Sequence, residues 1–299
     1  MTRKSDTRRK PRPSGSEPHE VVPRIVDFGL APDGPRFWHG GDPVRTRLSD
    51  ALSLAFPEGE RVFIESVRNY LSRVEDPELR EQARRFVFQE GQHGKAHELH
   101  NRYLADQGID TARIDRFMRL LRKTMKARVP RVWQLAFTVA GEHITATMAE
   151  SFLERVDDIL GDAEPRMRAL LVWHSIEEIE HKAVAYDVWE QVAHGPYWIR
   201  IAMYVQVLFG IHVMIGITMA DLLRQDGRLL DLPMWARGLW KLYGPNGWFP
   251  PLVPRLLAYF DPDFHPWQTK VPSRFDAWRK VWERSGEPIG AAEAIMTNA

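Results

Sequence analysis

Residues 165–192 read PRMRALLVWHSIEEIEHKAVAYDVWEQV. Written as a helix, the stretch aligns Met167, Leu171, His174, Glu178, His181, Ala185, Val188 and Val192 on one stripe, because positions three and four apart share a face. Such a stripe faces a protein core. Three ionisable side chains in the middle of it are costly unless something pairs with them. The segment therefore predicts a core helix with a polar partner waiting across the interface.

Moving outward, the same anomaly recurs in three earlier segments. Over 77–106 the stripe runs Leu79, Ala83, Phe86, Glu90, His93, His97 and Leu104. Over 130–160 it runs Leu135, Val139, Glu142, Ala146, Ala149, Leu153, Val156 and Leu160, with Glu142 the one charged member. Over 57–74 the apolar face is Phe63, Ile64, Val67, Tyr70, Leu71 and Val74. Glu60 falls one turn earlier on that face, whereas Glu65 shares the wet side with Arg68, Asn69 and Ser72. Pro57, Pro77, Pro130 and Pro165 each suit a first helical turn, where a missing N–H is harmless. The fourth core helix is expected over 164–193, and a shorter one at 111–128 crosses between the second and third. There is no run of alternating strands and no repeat. The expected fold is all-α, a ferritin-like four-helix bundle with one long crossover.

Composition narrows the chemistry. The 299 residues contain no cysteine, which excludes disulfides, iron–sulfur clusters, zinc ribbons and thiol nucleophiles. Any metal must be held by His, Asp or Glu. A net charge of +1 gives no general case for nucleic acid. Residues 1–24 read as a disordered basic tail, with Arg8, Arg9, Lys10 and Arg12 a solvated tract and no apolar run of a secretory signal behind them. Residues 25–195 form the bundle. Residues 196–299 hold an apolar helix and an aromatic-rich extension. A cytoplasmic location is expected, with membrane association open.

Four helices each placing carboxylates or imidazoles in mid-stripe call for one shared compensation. Two divalent cations against four carboxylates give formal neutrality. One Glu from each of two helices, with Glu-x-x-His from each of the other two, is the ligand arrangement of ferritin-like di-iron carboxylate bundles. Here Glu60 and Glu142 are the single ligands, and Glu90/His93 and Glu178/His181 are the pairs. The expected cofactor is two iron ions, with manganese or zinc as alternatives. A buried salt-bridge network is the other reading, but the stripes carry no matching Arg or Lys. His174 is a candidate third imidazole or a core histidine. His97 is a candidate supporting residue or cavity wall. Thr145 offers its hydroxyl either to a bound oxygen species or to its own helix backbone. His100 and His143 lie off these faces.

The segments FPEGERVFIESVRNY (56–70), FVFQEGQHGKAH (86–97), AGEHITA (140–146) and WHSIEEIEHKAVAYDVW (173–189) resemble, in order and spacing, a bacterial family labelled "predicted metal-dependent hydrolase". The likeness runs from about 25 to 270 and implies a metal enzyme. A more distant resemblance is to the di-iron arylamine N-oxygenases. Their fourth core helix carries His-x-x-x-Glu-x-x-His, which here is His174, Glu178 and His181. That likeness implies Glu60, Glu90, His93 and Glu142 as the remaining ligands and carries no substrate with it.

Three activities compete. The leading expectation is an O2-activating oxidase or oxygenase acting on a small apolar molecule with help from an electron donor, since hard oxygen ligands and imidazoles suit iron. A dimetal hydrolase is the alternative, and a non-enzymatic metal binder the third. The run IAMYVQVLFGIHVMIGITMA at 201–220 is free of charge. It reads as a buried helix, a one-sided membrane contact or a true span.

Overall fold

The computed structural model describes residues 19–296. Its regular structure is helical; among the described residues β structure is limited to the isolated bridge between His39 and Ala163. The helices are α1 (Pro43–Arg68), α2 (Pro77–Asp106), α3 (Ala112–Arg128), α4 (Arg131–Glu154), α5 (Val156–Leu160), α6 (Pro165–His181), α7 (Val184–Val188), α8 (Tyr197–Gln225), α9 (Leu232–Tyr243), α10 (Val253–Ala258), α11 (Ser273–Ser285) and α12 (Pro288–Glu293).

The central bundle is α1, α2, α4 and α6. α1 packs along α2 and against α4, α4 packs along α6, and α3 crosses over α1. Helix starts follow the local chemistry. Asp42 accepts from the amides of Val44 and Arg45, Asp76 from that of Glu78, and Glu164 from that of Met167, each next to a proline at the first helical position. Close approach is set by small residues. A Cβ on Gly141 would lie 2.4 Å from Phe63, so α4 meets α1 only because that position is glycine.

Several boundaries differ from expectation. The first core helix begins at Pro43, and Pro57 lies inside it. Proline removes the bond to the carbonyl four residues back. That carbonyl belongs to Ser53, and the side-chain amide of Asn101 on α2 donates to it at 3.2 Å. The helix survives because another element satisfies the freed acceptor. The 130–160 segment divides at Arg155 into α4 and α5. The 164–193 segment stops at His181, restarts as α7 and ends in a π turn, Trp189–Ala193. At the break Lys182 is buried, its amine donating to Glu150 Oε1 at 2.8 Å and Thr269 Oγ1 at 2.9 Å.

The tail boundary also moves. Residues 19–24 run against the bundle, with Val21 and Arg24 buried. The basic tract Arg8, Arg9, Lys10 and Arg12 lies outside the described residues. α8 lies against α1 and α4 but buries one side only. Its most apolar window is 17% buried, so a core helix is not what 201–220 forms. In the extension Trp248, Trp267 and Trp278 are buried, and α12 packs on α6.

Candidate metal centre

α1, α2, α4 and α6 turn their ionisable side chains toward one buried volume. Glu60, Glu90, His93, Glu142, His174, Glu178 and His181 are all buried. Glu90, His93, Glu178 and His181 each present a donor atom within 4.8 Å of the others, and Glu60, His97 and His174 form a second such group. His181 Nε2 is 3.2 Å from Glu90 Oε1 and 3.5 Å from Glu142 Oε2. Glu178 lies between the groups. Its Oε1 is 2.9 Å from His174 Nε2, and its Oε2 is 3.7 Å from His181 Nε2. All seven residues assigned from sequence therefore converge.

The electrostatics of the protein alone are poor. Both oxygens of Glu60, Glu90 and Glu142, with His93 Nδ1 and His181 Nε2, are buried and make no hydrogen bond within the protein. The short contacts of His181 and His93 with Glu90 lack hydrogen-bond geometry. Burial, reinforced by the charges of Glu90 and Glu178, holds Glu60 well above the usual carboxylate range. Burial and the same kind of repulsion do so for Glu142. For Glu90, burial outweighs the attraction of His181 and raises the pKa to about 8. Glu178 is the exception. Burial works against its charge, but the hydrogen bond with His174 and the nearby His181 imidazole overcome it and hold the carboxyl low. Buried groups of this kind are normally hydrogen-bonded. A set of unpartnered carboxylate oxygens and imidazole nitrogens converging on one point, without thiolate, has the donor chemistry of a site for a hard or borderline cation.

The opposite edges of the imidazoles are all engaged. Glu177 Oε2 pairs with His93 Nε2 at 3.2 Å, and Gln89 Oε1 with His181 Nδ1 at 2.8 Å. His97 Nε2 pairs with His174 Nδ1 at 2.8 Å, and its own Nδ1 with Ser53 Oγ at 3.0 Å. These contacts leave His93 Nδ1, His181 Nε2 and His174 Nε2 facing the carboxylates. Behind them, Arg24 donates to Glu177 Oε1 at 3.0 Å and Glu180 Oε1 at 2.6 Å, and Trp173 Nε1 donates to Glu177 Oε1 at 3.0 Å. Of the two roles expected of Thr145, the helix-backbone contact is present, and a bond to a carboxylate that was not expected joins it. Its hydroxyl lies 3.3 Å from the Glu142 carbonyl and also donates to Glu178 Oε2. His100 pairs with Asp50 at 2.9 Å, and His143 stacks among Tyr204, Tyr259 and Phe264 away from the site.

Glu177, Glu180, Gln89 and Arg24 were not singled out from sequence. The run of glutamates at 177, 178 and 180 is the available signal, because one helix turn carries carboxylates on several faces.

A cleft among the described residues reaches this volume from outside. It holds about 730 Å³ of empty space, part of it open to solvent, and is walled by Leu52, Phe56, Met148, Leu171, Trp248 and Phe249. At its inner end it meets His97, Thr145, His174 and Glu178. The wall is apolar and the floor polar, the usual composition of a small-molecule site.

No curated protein and no solved structure matches the chain significantly. A family profile described as "Predicted metal-dependent hydrolase" matches residues 22–270, which include every residue of the centre and most of the extension around its cleft. With most of its length matched, the chain belongs to this family of predicted metal-dependent hydrolases.

Proposed function

We propose that the chain is a dinuclear metal enzyme that hydrolyses a small apolar substrate bound in the cleft. The observation that carries the dinuclear reading is the set of buried, unpartnered donors on Glu60, Glu90, Glu142, His93 and His181. Hydrolysis takes its support from the family's description. In this reading Glu60, Glu90, His93, Glu142, His174, Glu178 and His181 would hold the ions, with Glu178 placed between the two groups of donors. Iron is the first expectation for this oxygen and imidazole set, with manganese and zinc next. Bound ions would supply Lewis acidity toward a carbonyl or phosphoryl oxygen and would acidify water at neutral pH.

The residues of the chain do the rest. Glu177, Gln89 and His97 fix the ring planes of His93, His181 and His174, as outer partners of metal-binding histidines do. Thr145 holds Glu178 at the floor of the cleft. The apolar wall excludes bulk water and selects an apolar substrate portion.

A second reading, oxygen activation, is favoured by one observation. The carboxylate-rich centre is wholly buried and opens into an apolar cleft, a setting that admits O2 and keeps water sparse. The resemblance to ferritin-like N-oxygenases supports this reading only through the ligand spacing and His174 facing the same volume.

The test is metal analysis followed by turnover of ester and phosphoester panels with and without oxygen. Two ions per chain and oxygen-independent cleavage support the proposal. Iron-dependent oxygen consumption with no cleavage moves the assignment to the second reading. A purified protein with no affinity for iron, manganese or zinc overturns both.

A further inference from the structure

α8 has an outer face built for something other than water. Trp198, Val205, Phe209, Val213 and Ile217 are exposed along it, Phe209 by 73% and Ile217 by 67%. At 1.5 Å per residue this uncharged ridge is about 28 Å long. Soluble monomers rarely expose an apolar strip of that extent. Its inner face, including Met203, Tyr204, Met219 and Leu222, is fixed against the bundle.

The neighbours of this ridge define its occupant. α3 starts beside the end of α8, where the Asp110 amide donates to Gln225 Oε1 at 2.8 Å, and the loop after α3 leads into α4, whose Trp133 meets Trp198 at 5.5 Å between ring centroids near the start of α8. α3 is amphipathic. It exposes Phe117, Leu120 and Leu121 beside Arg113, Arg116, Arg119 and Lys123. On the other side of the gap from α8, α9 exposes Leu232, Trp240 and Tyr243 with Arg237, while its Lys241 pairs with Asp42 at 3.0 Å. Apolar residues edged by cations and by Trp and Tyr are the composition of a helix lying in a membrane interface.

Two other occupants fit less well. A second copy of this chain in a twofold contact would set the α3 cations against themselves. A perpendicular span by α8 would draw Arg116, Arg119 and Lys123 into hydrocarbon along with it.

Between α8 and α9 a second apolar gap is lined by Ile211, Ile215, Gly216, Trp235 and Leu239. It shares Leu48, Leu52, Met148 and Phe249 with the cleft above the metal centre. The gap and the cleft thus adjoin across these four side chains, and α8 carries the exposed ridge beside the gap.

We infer that the α3–α8–α9 face docks on an anionic lipid bilayer, and that the gap between α8 and α9 admits a hydrocarbon chain toward the centre. The docking stands without the metal reading; the destination of the chain rests on it.

Flotation of the metal-loaded full-length protein with phosphatidylcholine vesicles, with and without phosphatidylglycerol, tests the docking. Binding is expected on the phosphatidylglycerol vesicles and should weaken with salt. The double substitution Phe209→Glu/Ile217→Glu should lower partitioning by at least roughly 100-fold, from the lost burial of two large side chains. Its metal content and melting temperature should not change, since both side chains already face solvent. Arg116→Gln/Arg119→Gln should cost about 30-fold on the anionic vesicles only.

The portal is read by cis-parinaric acid fluorescence. Gly216→Trp should abolish probe uptake while leaving flotation intact. Absence of flotation, flotation indifferent to Phe209→Glu/Ile217→Glu, or a dimer that this variant dissociates would overturn the docking. Failure of the wild type to take up the probe would overturn the portal alone. Flotation by a protein that binds no metal would sink the metal reading and leave the docking in place.

Discussion

Replacing Glu90 by Gln should make the metal-free bundle more stable at neutral pH, even as it cripples metal binding. Glu90 is wholly buried, neither of its oxygens has a hydrogen-bond partner, and its pKa is raised to about 8. The unfolded chain returns it to the ordinary 4.5. Below 4.5 both states hold the proton and nothing is lost. As pH rises from there toward 8, the unfolded state gives up its proton first, so stability falls by about 1.4 kcal/mol per unit. At pH 7 the loss is about 3 kcal/mol. Glutamine has no proton to surrender and escapes it. For a chain of this size the difference amounts to roughly 6 °C in melting temperature. The assay is thermal denaturation in chelator at pH 5 and pH 7.5, with the two proteins nearly alike at the first and Glu90→Gln ahead at the second. Added metal should reverse the order, because only the wild type gains fully by mass action. If Glu90→Gln is the less stable protein in chelator at pH 7.5, the carboxylate is a structural partner and the reasoning fails.

Glu60→Ala and Glu142→Ala should abolish activity and lower metal stoichiometry while far-ultraviolet circular dichroism stays helical. His174→Ala should retain metal but slow turnover, since His93, His181 and the four carboxylates remain; complete loss of metal would make His174 indispensable. Arg24→Ala should destabilise the protein by about 3–5 kcal/mol, as expected when a buried ion pair loses one partner and Glu177 and Glu180 are left uncompensated; a change below 1 kcal/mol in denaturant unfolding would refute that. Met148→Trp, which narrows the cleft, should raise KM for bulky substrates and leave metal content unchanged.

The four core helices were legible because each carries its apolar stripe at helical period with the polar exceptions in register. Glu60, Glu90, Glu142 and Glu178 could be found that way since a single helix face decides them. Glu177 and Glu180 could not. They point to other sides of α6, and stripe reading assigns such sides to solvent. α6 is instead enclosed on nearly all sides, with α12 and the N-terminal segment covering what the bundle leaves open. Arg24 comes from an extended segment with no periodicity to read. The interior position of Pro57 was equally hidden, since the group that rescues Ser53 lies on α2, 48 residues beyond it. The one-sided burial of α8 also needed the structure, because an uncharged helix has the same sequence whether protein or lipid covers it.

The enclosure of α6 has a kinetic consequence. Most donor atoms of the proposed centre are sealed behind helices, with His174 and Glu178 alone at the inner end of the cleft, and exchange of a bound ion would wait for the bundle to open or for passage down that narrow route. Opening of a packed core is among the rarest local motions of a protein. An ion captured during folding would then stay for the working life of the molecule. The metal found in a purified sample would record the supply at the time of synthesis as much as any preference of the ligands. Unfolding in chelator and refolding with one chosen ion would be the way to ask the ligands themselves.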